Sequence, residues 1–188
     1  MNRVTALWRS SPRALLLGLG TIGLAAAVTV GSGADFNSST ANPSNVFTAG
    51  TLSHSNSKSG AAILTATNMR PGDTASGTVD IQNTGTLSGV FSLSKTVTAD
   101  STPSFAGKLT VVVTDNGDPA CVVACPPPAT IYSGTVAAMG ARPLGTFAAG
   151  ATHRYSFVVT FPDGGTNGAD NAYQAASTTV TYSWTAAS

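Results

Sequence analysis

The sequence predicts an all-β protein, an antiparallel β-sandwich, and three observations predict it. Apolar residues beyond position 34 recur with a period of two. Gly, Pro, Asn, Asp, Ser and Thr punctuate the alternating runs. Straight-chain helix formers are scarce, and none of the eight acidic residues is Glu. A period of two is what a sheet with one buried and one wet face requires. Without Glu, and with little Gln, helix capping boxes are almost absent.

The elements follow in order. Arg3, Arg9 and Arg13 precede an uncharged run from Ala14 to Val30, which ends in TVGSGA with Ser32 and Ala34 at a spacing that a signal peptidase accepts. We read residues 1–34 as a signal peptide cleaved on export, between Ala34 and Asp35. The run has 17 residues and includes Gly18, Gly20 and Gly23, so an uncleaved anchor helix is the alternative. Residues 35–45 form an extended N-terminal segment that is rich in Ser and Asn and poor in charge. Residues 46–188 are expected to be a single β-sandwich domain, since the apolar share of 42% suffices for one core at this length.

Within that domain four runs alternate clearly. GTVDIQN sets Val79 and Ile81 on one face. KLTVVVTD does the same for Leu109, Val111 and Val113, and HRYSFVVTF for Tyr155, Phe157, Val159 and Phe161. STTVTYSWTAA aligns Val180, Tyr182 and Trp184. Further strands are expected near 47–52, 62–68, 89–98, 130–133 and 144–148. Turns are expected at RPGD (70–73), NTG (83–85), DNGD (115–118) and PDGGTNGADN (162–171). Only NGADNAYQAAS offers a helical turn. Eight or nine short strands without intervening helices fit a sandwich.

Charge excludes several functions. Removing residues 1–34 takes away three of the nine Lys and Arg residues and leaves six against eight Asp, a net charge of −2. Neither nucleic acid nor an anionic bilayer attracts such a surface. Membrane contact is expected only through the signal segment before cleavage.

Candidate chemistry is sparse. His54 and His153 are the only histidines, and no His-Glu-x-x-His motif can exist in a chain without Glu. Each is read as an exposed strand residue. No Gly-x-Ser-x-Gly elbow or phosphate loop occurs, so no catalytic residue, metal or cofactor is assigned. A Ser/His/Asp triad assembled in space stays open at this stage. Cys121 and Cys125, the only cysteines, are expected to form a disulfide closing a small loop before Pro126–Pro128, with reactive thiols as the alternative. Asp163, Asn167, Asp170 and Asn171 share one Gly-rich loop. Calcium binding and plain turn formation are both readings of it.

Four local features occur in one order: an export signal ending in GADFN, then VFTAGTL, then NMRPGDTASGTVDIQNTGTLSG, and a closing DNAYQAASTTVTYSW. In this the chain resembles the TasA/camelysin family of exported proteins, whose signals are cut by a SipW-type signal peptidase. The resemblance implies an antiparallel jelly-roll-like β-sandwich preceded by an N-terminal signal helix. It also implies a secreted or cell-surface structural protein of a Gram-positive bacterium, since family members are biofilm-matrix fibre proteins. Some camelysins are described as surface metalloproteases, but the sequence holds no zinc motif to receive that role.

The expected function is therefore a non-catalytic fibre subunit. Its partners are other copies of itself in a head-to-tail homopolymer, or related fibre subunits. The edge of an open sandwich leaves backbone groups unpaired, and an extended, weakly charged segment can add there as a strand. Phe36, Val46 and Phe47 are the side chains expected to seat in pockets. A monomeric surface adhesin is the alternative, and would need Tyr132, Tyr173 or Trp184 exposed on one face. A camelysin-like metalloprotease is third, requiring ligands gathered around His54 or His153.

Overall fold

A computed structural model describes residues 48–166 and 168–188. Ala34, Asp35, Phe36, Val46 and Phe47 lie outside the described residues, as does the signal segment. The described chain holds eight strands, namely β1 (His54–Asn56), β2 (Thr74–Asn83), β3 (Gly89–Asp100), β4 (Thr110–Asp115), β5 (Ala129–Thr135), β6 (Arg142–Phe147), β7 (Thr152–Thr160) and β8 (Thr178–Ala187). A single helical turn, α1 (Phe105–Lys108), and a 3₁₀ turn (Asn171–Tyr173) complete it.

The strands form two antiparallel sheets, one ordered β1-β2-β7-β4-β5 and the other β6-β3-β8. Their inner faces share one core. Val79, Ile81, Val111, Val113, Tyr155, Phe157 and Val159 come from the larger sheet, and Phe91, Leu93, Phe147 and Trp184 from the smaller. Phe147 stacks on Phe91 at 4.2 Å and on the His153 ring at 4.1 Å, while Phe157 lies 4.7 Å from Tyr182. These aromatic contacts join the two layers and fasten them more specifically than area alone. All four alternating runs point their apolar residues inward, so the period-two reading holds.

Several expectations are corrected. Residues 62–68 are not a strand, because they lie over the inner face of β2 and make no backbone hydrogen bonds among the described residues. Residues 48–52 are irregular, and the first ladder contact starts at His54. They are held instead to the β2–β3 turn, where Thr86 and Leu87 donate backbone N–H groups to the Thr51 carbonyl. The turn α1 was not anticipated, since it arises from local caps. Ser104 Oγ accepts from Gly107 N–H at 2.9 Å, and the Asp100 carboxylate accepts from Phe105 and Ala106 N–H at 3.0 and 2.9 Å. Four residues carry no helical period to read.

The NTG turn rests on Asn83, a polar side chain with no solvent exposure at all. Its Nδ2 donates to the carbonyls of Leu87 (2.8 Å) and Phe147 (3.1 Å), and its Oδ1 accepts from Gly85 N–H (3.0 Å). One amide thereby ties the β2–β3 turn to the end of β6, which satisfies the buried donors and acceptors.

Candidate functional site

The smaller sheet stops at β8, and no strand among the described residues pairs with the outer edge of β8. The layer continues instead with a strap, residues 61–71. Its ends are tied down, because Ala61 N–H bonds to the Lys58 carbonyl and Gly72 N–H to the Phe161 carbonyl. Between those ends the strap rests on β2. The carbonyl of Ile63 occupies the place where a Cβ on Gly77 would stand, and Leu64 lies alongside. Glycine is required there by close backbone approach rather than by turn geometry.

A groove runs between the strap and β8. Its larger part, of about 830 Å³, has Val159, Phe161, Phe105 and Leu109 in its floor, and its walls are Ile63–Met69 on one side and Thr178–Tyr182 on the other. A second part, of about 410 Å³, continues past Ile63, Val180 and Tyr182 to Asn56 and Trp184. Val180 and Tyr182, on the inward face of β8, are half-buried, and among the described residues no strand flanks them on the outer side of β8. Burial pushes the Tyr182 hydroxyl up to about 12, with Tyr132 nearby adding to it, so the groove carries no tyrosinate at neutral pH.

Among the described residues, neither the outer edge of β8 nor residues 62–69 of the strap has a backbone partner. A backbone lined this way over an apolar floor is suited to an extended chain, whose own N–H and C=O groups would be satisfied on both sides. At one end Lys108 Nζ pairs with Asp170 at 2.7 Å, beside the rings of Phe161 and Tyr173. Hydrogen bonding to Lys108, then to Gly164 N–H, holds the Asp170 carboxyl below its usual range.

That pairing bears on the Gly-rich loop. Asp170 faces Lys108, and Asp163 accepts from Gly165 N–H at 2.9 Å as a turn former. The turn-forming reading accounts for both carboxylates. Cys121 and Cys125 form the expected disulfide. The ring it closes projects Val122 and Val123, which are 89% and 81% exposed.

The histidines lie apart in role. His54 is exposed and sets its ring edge-on to Phe91 at 5.7 Å. His153 departs from its expected exposure: it is half-buried, stacked on Phe147, with Nδ1 2.9 Å from Asp115 Oδ2. Of the aromatic residues considered for a binding face, Tyr132 and Trp184 are buried and Tyr173 is half-buried. What sequence reasoning missed is the groove itself. Val180 and Tyr182 were legible as inward-facing, but that β8 is the edge strand of its sheet among the described residues was not.

Residues 13–104 match the family model described as camelysin metallo-endopeptidase. No curated protein matches the chain. Among the described residues no three His, Cys, Asp or Glu side chains are grouped to hold an ion, and both cysteines are in the disulfide. His153 has one carboxylate beside it, which is fewer ligands than a catalytic zinc takes. The donor set described does not fit the metal.

Proposed function

Since this chain belongs to the TasA/camelysin family through its residues 13–104, we propose that it is a secreted, non-catalytic subunit of an extracellular fibre. Subunits join by β-strand addition, with residues 35–47 of one copy entering the groove beside β8 of the next. The observation that carries this reading is the groove: an apolar floor between two walls whose backbone has no partner among the described residues. A strand in it would cover Val180 and Tyr182 and remove an open edge that otherwise invites indiscriminate pairing. Phe36, Val46 and Phe47 are the side chains that supply apolar area, each worth about 1.5–3 kcal/mol when fully buried.

The contact joins two different surfaces of the subunit, so repetition gives an open filament rather than a closed ring. Export with cleavage after Ala34 by a SipW-type peptidase frees the segment, and the assembly belongs to the cell surface or biofilm matrix of a Gram-positive bacterium. The same reading assigns the sandwich to the jelly-roll class.

Electron microscopy of residues 35–188 at neutral pH tests the proposal. Filaments are expected, and their loss is expected on deleting residues 35–45. Monomers in both samples would count against the fibre. Chelator-sensitive cleavage of casein by the purified protein would favour the protease instead.

A further inference from the structure

The loop between β4 and β5 is built unlike any other in the domain. Residues 119–129, PACVVACPPPA, carry no charge, no hydroxyl and no amide on any side chain. All but Cys121 are exposed, and Val122 and Val123 exceed every other large apolar residue described in their exposure. A contiguous apolar surface of this kind marks a contact site. The disulfide adds little stability to so short a loop, but it fixes the tip. Ala124 is held there at a φ of 54°, left-handed backbone that a free Val-Ala stretch seldom adopts. A tip fixed in advance loses little conformational freedom on docking.

The backbone of the loop is also sparing of donors. Pro119, Pro126, Pro127 and Pro128 have no N–H. Asp118 takes up two more, since its Oδ1 accepts from Ala120 N–H at 2.8 Å and its carbonyl from Cys121 N–H at 3.1 Å. Ala129 enters the β4–β5 ladder. The N–H groups of residues 122–125, at the tip, have no acceptor among the described residues.

These features separate two kinds of partner. A protein interface is rimmed by polar pairs that set its orientation, and this loop offers no side chain to make one. A bilayer interface asks for apolar area, and its ester and phosphate oxygens accept hydrogen bonds. The loop also stands at the end of the sandwich where the chain enters. Asp115 pairs with Tyr155, and Arg154 with Asp80 toward the end of β2, where Asn83 pairs with His54 of β1. Whatever precedes Thr48, the apolar run Ala14–Val30 included, is therefore attached to the domain at the loop's end.

We infer that residues 119–129 dock on a lipid surface, with Val122 and Val123 inserted at the boundary of headgroups and acyl chains. The N–H groups of residues 122–125 donate to lipid oxygens there. The contact is apolar, so the net charge of the chain does not foretell it. Neutral lipid suits it better than anionic lipid, because the charged side chains nearest in sequence are Asp115 and Asp118. One subunit holds weakly and reversibly, as a single short anchor does.

Flotation of residues 35–188 with phosphatidylcholine vesicles tests this, and the readout does not require filaments. The protein should float with the vesicles at high lipid concentration, and high salt should not release it. The double variant Val122→Asp with Val123→Asp should lose at least about tenfold in vesicle partitioning. It should melt like the parent, because side chains this exposed touch little else. Opening the ring with Cys121→Ser and Cys125→Ser should weaken partitioning, and an unchanged value would overturn the role given to the fixed tip. The inference is overturned if the parent does not float or if the Asp variant floats equally well. Flotation that needs phosphatidylglycerol and is lost in salt would also overturn it. Self-association without lipid, abolished in the Asp variant and accompanied by no flotation, would assign the loop to a contact between copies instead.

Discussion

Ile63 and Gly77 approach so closely that the Ile63 carbonyl lies where any side chain at position 77 would begin. This contact sets the strap on β2 and so fixes one wall of the groove. Gly77→Val should displace the strap and destabilise the domain by about 1–3 kcal/mol, as overpacking does. Chemical denaturation measures the loss. Filament formation should fall more than stability does, since the altered wall is where the incoming strand pairs. Unchanged assembly in a folded variant would argue against the strap as a wall.

Asn83 is the single polar side chain among the fully buried residues of the described core. Asn83→Leu removes its bonds to the carbonyls of Leu87 and Phe147 and to Gly85 N–H. Leaving such groups unsatisfied costs about 1–3 kcal/mol each, and relaxation of the turn recovers part of it. A net loss of about 2–4 kcal/mol is expected on this basis, seen as a lowered denaturation midpoint.

Three aspartates make the domain acid-sensitive. The Arg154 guanidinium holds the Asp80 carboxyl below its ordinary 3.8, through bonds of 2.7 and 2.8 Å across β2 and β7. Asp100 is lowered as well. Burial there opposes ionisation, but bonds from Ser104, Ala106, Thr178 and Phe105 outweigh it. Asp170 is lowered by Lys108 and Gly164. Because the folded values lie below the unfolded ones, the stabilisation is complete above the ordinary aspartate range and is lost as pH falls through the folded values. Thermal melts should be flat from pH 7 to about 5 and fall steadily below about 4. Asp100→Asn should lower stability at pH 7 and flatten the acid limb.

The Cys121–Cys125 ring is small, with three residues between its ends. Loop-entropy arguments give about 2 kcal/mol at most for a ring of this size, and the loop is exposed. Reducing agent should therefore lower the melting temperature by only a few degrees, and filaments should still form. Unfolding on reduction would assign the ring a larger structural role.

The layers of this fold were legible because burial imposes a period of two. Tyr155, Phe157, Val159 and Phe161 could face only one way once their polar neighbours faced the other, and all four are buried. Residues 62–68 misled for the same reason in reverse. Ala62, Ile63 and Leu64 have the composition of a strand, yet whether a segment joins a ladder depends on a partner edge at hydrogen-bonding distance. His153 likewise reads as a strand residue, while its place between Phe147 and Asp115 depends on residues from β6 and β4.

Residue order alone established the sandwich, the inward faces of its strands and the disulfide pair, because each follows from local alternation or from there being only two cysteines. The groove was decided in three dimensions. Its floor, strap and β8 wall come from stretches far apart in the chain, brought together by Gly77 under Ile63 and by the early end of a three-stranded sheet. No single stretch encodes such a groove, since its walls are set by how distant stretches pack.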